Sequence, residues 1–356
     1  MAYTDIDNPE LFFQCKLYTG TGSSHAITLD GSEDMQPDMV WWKERTSTDY
    51  HTIVDSVRGA TKRIFTNVTE AEDTNAESLK SFDSDGFTMG TNAGANQSSQ
   101  TYVAWNWKTG TSFTNDASAT GIGTIDSAGS VNTNAGFSIC TWTGTGSTNG
   151  TIKHGLNTTP AFIIQRRRDG DSWFTWHQKL STTAKYVLLN TTAGEADGST
   201  SIWTGSPNAN TFGIGNNTAV NESGGNYLAY CFNEVKGYSK FGSYTGNGNA
   251  DGTFVYTGFK PAWVMSKYTT GGSAGGEGWN MFDNKRDPFN IVDLRVQANS
   301  SGAESSSTNH YHDFLSNGFK LRTVDGSANN SGATYIYMAF AESPFTNSSG
   351  VPNNAR

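Results

Sequence analysis

The chain is short of charge, of proline and of cysteine, and it has no long apolar run. Asp, Glu, Lys and Arg make up only 16% of its 356 residues. Its solubility must therefore come from Asn, Ser, Thr and Gly, a neutral and hydrogen-bonding surface. Basic residues are outnumbered, 24 against 33, for a net charge of −9. Sequence-independent nucleic-acid binding needs basic patches that neutralise phosphates, so this balance argues against it. Three cysteines at wide spacing, Cys15, Cys140 and Cys231, do not make a disulfide framework. They read as small apolar core residues of a protein made in a reducing cytoplasm. Nothing approaches the roughly 20 apolar residues of a membrane-spanning helix. The opening MAYTDIDNPELFF lacks the basic region and apolar run of a signal peptide. Sustained helical periodicity is missing too; only Thr69–Phe82 reads as a short helix or turn.

What is present is glycine, 40 residues, and aromatics, with 20 Phe, 14 Tyr and 10 Trp. Many turns and many aromatic strands predict an all-β protein. Its landmarks recur three times in one order. An aromatic-Thr-Gly-x-Gly turn starts at Tyr18, Trp142 and Tyr244, and a Pro-initiated apolar strand follows at Pro37, Pro160 and Pro261, after 19, 18 and 17 residues. A shorter marker comes next, DGFTMG at Asp85, NTFGIG at Asn210 and NGFKLR at Asn317. A closing strand completes each copy: TYVAWNW from Thr101, NYLAYCF from Asn226 and TYIYMAF from Thr334. Each landmark has a physical reason. Glycine permits the positive φ of a tight hairpin turn, and Pro fits the first position of a strand. DMVWWKER, AFIIQRRR and AWVMSKY open apolar and end charged, as a central strand does when its end reaches solvent.

The expectation is three tandem antiparallel β-sandwich modules, jelly-roll-like, at 12–108, 137–234 and 235–346. An N-terminal arm, 1–11, precedes them and a C-terminal tail, 347–356, follows. Between the first two modules, 109–136 is small, polar and non-periodic, and reads as a linker or an extended arm over a neighbour.

The string FFQCKLYTGTGSSHAITLDGSEDMQPDMVWWKER…SFDSDGFTMG…TYVAWNWK, with its later counterpart SKFGSYTGNGNADGTFVYTGFKPAWVM…TYIYMAF, is similar to a module of marine bacteriophage virion structural proteins of the tail-fibre-like kind. The likeness covers nearly the whole chain. It implies a virion component and does not choose between tail fibre, tail-associated adhesin and capsid decoration; the leading expectation is a tail-fibre or tail-associated protein that contributes to host-surface attachment. The same analogy implies self-association, a trimer as in fibres, and contacts with other virion proteins; contact with a host-surface glycan is a further expectation, drawn from the aromatics considered below. An architectural capsid-decoration or collar protein is the alternative, and a glycan-degrading protein a second one. The family brings no catalytic residues to carry over.

The residues themselves nominate no catalytic, cofactor or metal site. Asp55 and Arg58, and again Asp283 and Arg286, stand three apart at matching places. They read as exposed structural ion pairs, worth roughly 0–1 kcal/mol each. Arg166, Arg167 and Arg168 read as a solvated strand end. His310 and His312 share one strand face but lack a third metal ligand. Asp30, Glu33 and Asp34 resemble part of a calcium loop without its full pattern. Gly271–Gly275 fits G-x-S-x-G outside the strand-turn-helix setting that motif needs. Trp173, Trp176, Trp203 and Trp279 lie among Asn, Ser and Asp. They are the candidates for stacking on sugar rings.

Overall fold

The computed structural model describes residues 3–272 and 277–353. Its architecture is three large antiparallel sheets, each faced by a small one. The first large sheet has the order Phe13–Thr19, Thr101–Trp107, Met39–Glu44, Thr52–Asp55, Lys62–Phe65, Asp73–Thr74. The second orders Phe137–Thr143, Asn226–Phe232, Phe162–Arg167, Trp173–His177, Lys185–Leu188 and Ala196–Asp197 in the same way. The third has Ser239–Thr245, Ala333–Pro344, Phe259–Gly271, Asn280–Asp283, Val296–Gln297. In each, the closing strand lies between the opening strand and the Pro-initiated strand, with equivalent pairings Trp41↔Trp105, Ile164↔Tyr230 and Met265↔Met338.

The small sheets carry the remaining landmarks. His25–Thr28 pairs with Gly86–Met89, Gly150–Lys153 with Thr211–Ile214, and Phe254–Tyr256 with Gly318–Leu321. Each sandwich has its own core: Val40, Trp42 and Phe87 in the first, Ile163 and Phe212 in the second, Val264 and Phe319 in the third.

A fourth core joins them. The opposite faces of all three large sheets bury Trp41 and Trp105, Ile164 and Tyr230, Trp263 and Met338 in one shared cluster. Side chains alternate across a strand. Trp41 thus points to the shared core while Val40 and Trp42 fill their own sandwich. Strands buried on both faces read as continuous apolar runs, which accounts for MVWW, FII and WVM.

Two expectations need correction. The segment 109–136 is no free linker: Thr111–Asn115 and Ser127–Asn132 are strands that extend the second sheet beside Phe137–Thr143. Their small residues are a packing requirement, since Gly129 leaves room for the Phe113 ring 2.9 Å from where a Cβ would stand. Thr69–Phe82 holds a turn at 76–77 rather than a helix, set between Asp73–Thr74 and the start of Leu79–Asp83, both strands. Near the ends of the chain, Asp5 donates its backbone N–H to Lys236 O at 3.0 Å, and Asp7 accepts from the Ser348 backbone N–H at 2.7 Å.

Candidate functional site

The polar chemistry of this protein is concentrated where the large sheets meet. Asp55 ends strand Thr52–Asp55, and its Oδ1 accepts the Arg58 backbone N–H at 2.9 Å, closing the turn. Its Oδ2 accepts from Arg58 Nε at 2.6 Å and from the Tyr230 hydroxyl of the second sheet at 2.7 Å. Arg58 also reaches Glu72 at 2.9 Å, and Glu72 takes Arg168 of the second sheet in a two-pronged contact at 3.0 and 2.7 Å. The third sheet repeats this toward the first. Asp283 Oδ2 accepts from Arg286 Nε at 2.6 Å and from Trp105 Nε1 at 3.1 Å. Arg286 reaches Glu304 at 3.2 Å, which holds Arg45 of the first sheet at 3.0 and 2.8 Å.

The second sheet completes the ring with different chemistry. His177 pairs with Phe162 as Asp55 does with Met39 and Asp283 with Trp263. Its Nδ1 accepts the Lys179 backbone N–H at 3.1 Å, so its Nε2 donates to Tyr337 O of the third sheet at 3.2 Å. The residue corresponding to Tyr230 and Trp105 is here Met338, which offers no donor. The sheets therefore touch cyclically, first to second, second to third and third to first.

Burial sets the electrostatics. Asp55, Arg58, Asp283 and Arg286 have fully buried side chains. Burial alone would pull Arg58 down, but Asp55, Tyr230 and Glu72 outweigh it and hold the guanidinium firmly protonated. For Arg286 the opposing groups are Asp283 and Glu304. Burial also raises Tyr230 well above its ordinary value, helped by Asp55. It lowers His177 to about 3, against the pull of Tyr337 O. The pairs are thus the ion pairs their spacing predicts, but they are core groups and not exposed ones.

Arg166 is another correction. It is buried, its guanidinium lying 5.1 Å from the Trp173 ring, and it donates to Phe65 O, Val68 O and Glu70 O of the first sheet pair. At the corresponding place on the third sheet, Lys267 donates to Thr192 O at 2.8 Å and to Glu277 O. Arg166 and Lys267, which follow the apolar runs of their strands, are therefore sealed from solvent. Arg167, by contrast, is partly exposed and pairs with Asp169 at 2.9 Å.

All four candidate tryptophans are buried, which removes them as sugar platforms. Trp173 Nε1 donates to Phe65 O at 2.7 Å and Trp279 Nε1 to Leu188 O at 2.9 Å, both across sheet junctions. Trp176 and Trp203 fill the core of the second sandwich. His312 is buried with its ring 4.2 Å from Phe282, and its Nδ1 bonds His310 O. Asp30 bridges Lys16 and Lys285. Among the described residues no three His, Cys, Asp or Glu come together as metal ligands. All three cysteines are buried free thiols. Gly271 and Gly272 are described, but Ser273, Ala274 and Gly275 of the G-x-S-x-G match lie outside the described residues.

A set of residues not legible in the sequence holds the turns. Asn96, Asn221 and Asn329 end one-turn helices before the closing strands and are buried. Their Oδ1 atoms accept the backbone N–H of Thr21, Thr145 and Asn247 at 2.8, 2.9 and 2.9 Å. Beside them Tyr18 stacks on Tyr102, Trp142 on Tyr227 and Tyr244 on Tyr335, at 4.9, 5.5 and 5.0 Å. The recurrent Asn was visible as a residue, but nothing local marks it as buried.

Fold and junctions together define an all-β protein whose sandwiches are locked to one another by a shared core and buried charge pairs. The chain belongs to a family described as a domain of unknown function, DUF7483, which it matches over residues 8–344. No curated protein and no solved structure matches it.

Proposed function

We propose that the protein is a non-enzymatic structural component of a bacteriophage virion, tail-fibre or tail-associated, that contributes to attachment at the host surface. The observation that carries this reading is the closed ring of sheet junctions. The buried ion pairs and the cationic strand ends in the junctions are used between sheets, so their chemistry is spent on rigidity. A rigid β scaffold with variable loops suits presentation of contacts to a surface. The likeness of the YTGTG…P…YVAW landmarks to tail-fibre-like proteins points the same way. In this reading the three-way packing a homotrimer would supply already exists within one chain. Self-association and docking to other virion proteins then use the outer faces, and the protein resides in the virion. Gold-labelled antibody on intact particles tests the reading. Label along the tail is the expected result; label spread over the capsid lattice would replace it with the decoration reading.

A further inference from the structure

The third sheet pair differs from the other two on its outer face. Phe254 and Tyr256 project outward from its small sheet and are 44% and 60% exposed. Opposite the buried Phe87, Phe212 and Phe319, the three small sheets align. The residues corresponding to Phe254 and Tyr256 are then Ala26 and Thr28 in the first, and Thr151 and Lys153 in the second. Two large rings thus stand where the other sheets carry small or polar groups.

These rings lie over glycine. A Cβ at Gly318 would stand 3.1 Å from Phe254 Cε2, and one at Gly258 3.6 Å from the Tyr256 hydroxyl. Tyr3, 62% exposed, lies likewise against Gly350, 2.8 Å from where its Cβ would be. The exposure of Tyr256 and Tyr3 leaves ring surface open to solvent beside these glycines. Tyr256, Tyr3 and Phe345 line a cleft of about 260 Å³ together with Glu234, Lys240 and Thr257. Most of the nearby charges are in ion pairs, Lys240 with Glu234 at 2.5 Å, Lys320 with Asp251, and Arg322 with Asp313 at 3.2 Å, and Lys236 also lines the cleft. The patch therefore offers apolar ring faces and many hydrogen-bonding groups.

We propose that this cleft binds a neutral hexopyranose unit of a polysaccharide, stacked on Tyr256 and hydrogen-bonded by Glu234 and Lys240. The apolar face of a pyranose ring matches an exposed aromatic face, and its hydroxyls match the mixed donors and acceptors around it. Phe254, two residues along the strand and about 7 Å away, extends the platform toward a neighbouring sugar. The proposal rests on the attachment reading and names its ligand class.

The test uses the full chain and its Tyr256→Ala, Tyr256→Phe and Thr28→Ala variants on immobilised dextran, mannan and galactan, with alginate as the anionic comparison. Retention on at least one neutral polymer is expected. It should weaken at least tenfold in Tyr256→Ala and stay near wild type in Tyr256→Phe and Thr28→Ala. An unchanged thermal midpoint shows that Tyr256→Ala is folded. No retention on any neutral polymer, retention on alginate alone, or equal retention by Tyr256→Ala would overturn the proposal. Host-cell binding by the same proteins separates the two readings. Cell binding indifferent to Tyr256 removes the subsite and leaves attachment standing; saccharide retention without cell binding does the reverse.

Discussion

An aspartate can sit between two sheets here only because of what faces it. Asp55 meets a tyrosine hydroxyl and Asp283 an indole N–H, and each keeps its own arginine. Where the facing residue is Met338, the chain uses His177, neutral, and bonds a backbone carbonyl instead. Removing one member of a buried pair leaves the other charge uncompensated. Arg58→Met should therefore cost about 3–5 kcal/mol in urea denaturation, whereas Arg167→Met, at a partly exposed pair, should cost less than about 1 kcal/mol. Equal losses would mean that the Asp55 junction carries no special energy. The histidines set the acid limit. His177 lies at about 3 in the folded protein, and His154 and His312 at about 4, because burial disfavours the imidazolium. An unfolded chain takes up these protons nearer pH 6.5. Below that point protonation favours the unfolded state, so stability present above about pH 6.5 should fall progressively toward pH 4. His177→Gln should flatten part of that slope, measured as unfolding free energy against pH. The sequence showed the three-residue spacing of Asp55 and Arg58. It could not show burial, because the partner that creates it, Tyr230, is supplied by another sheet.

At the scale of the element, the T-G-x-G turns are tied down by one amide each. Asn329 accepts from Asn247 N–H and donates to Asn249 O and Thr323 O at 2.8 and 2.7 Å. Asn329→Ala would leave these groups unpaired, a loss of about 1–3 kcal/mol. Amide exchange at 246–249 should speed up before the rest of the third sheet is affected; uniform acceleration would argue against a local role. Strand and turn positions were readable because hairpin glycine and aromatic alternation are local signals. The pair Thr111–Asn115 and Ser127–Asn132 was not readable, because its composition answers to the crowded Gly129–Phe113 contact and looks like a linker. The tryptophans misled for the opposite reason. Polar neighbours along the chain suggest exposure, yet Trp173 and Trp279 point their N–H groups at carbonyls of an adjoining sheet.

For the whole molecule, the decisive feature is the core shared by three sheets. Trp263 is fully buried there, with Trp107 and Phe340 rings 5.7 and 6.1 Å away. Trp263→Ala should cost about 3–5 kcal/mol and lower a single calorimetric transition, not split off one step belonging to the third sandwich. Two resolved transitions would show that the sandwiches unfold independently. The continuous apolar strands pointed to burial on both faces; that the second face is covered by the other sheets is long-range and left no local mark. The contact between Asp7 and Ser348 brings the first and last described segments together, and among the described residues nothing stands within 4 Å of a Cβ placed at Gly110, between the first two sandwiches. A cycle of junctions has no privileged starting point. A circular permutant that begins at Gly110, with the old ends spliced, should keep the same fold and a melting temperature within a few degrees of the parent's, so the order in which the sandwiches are translated is separable from the order in which they pack.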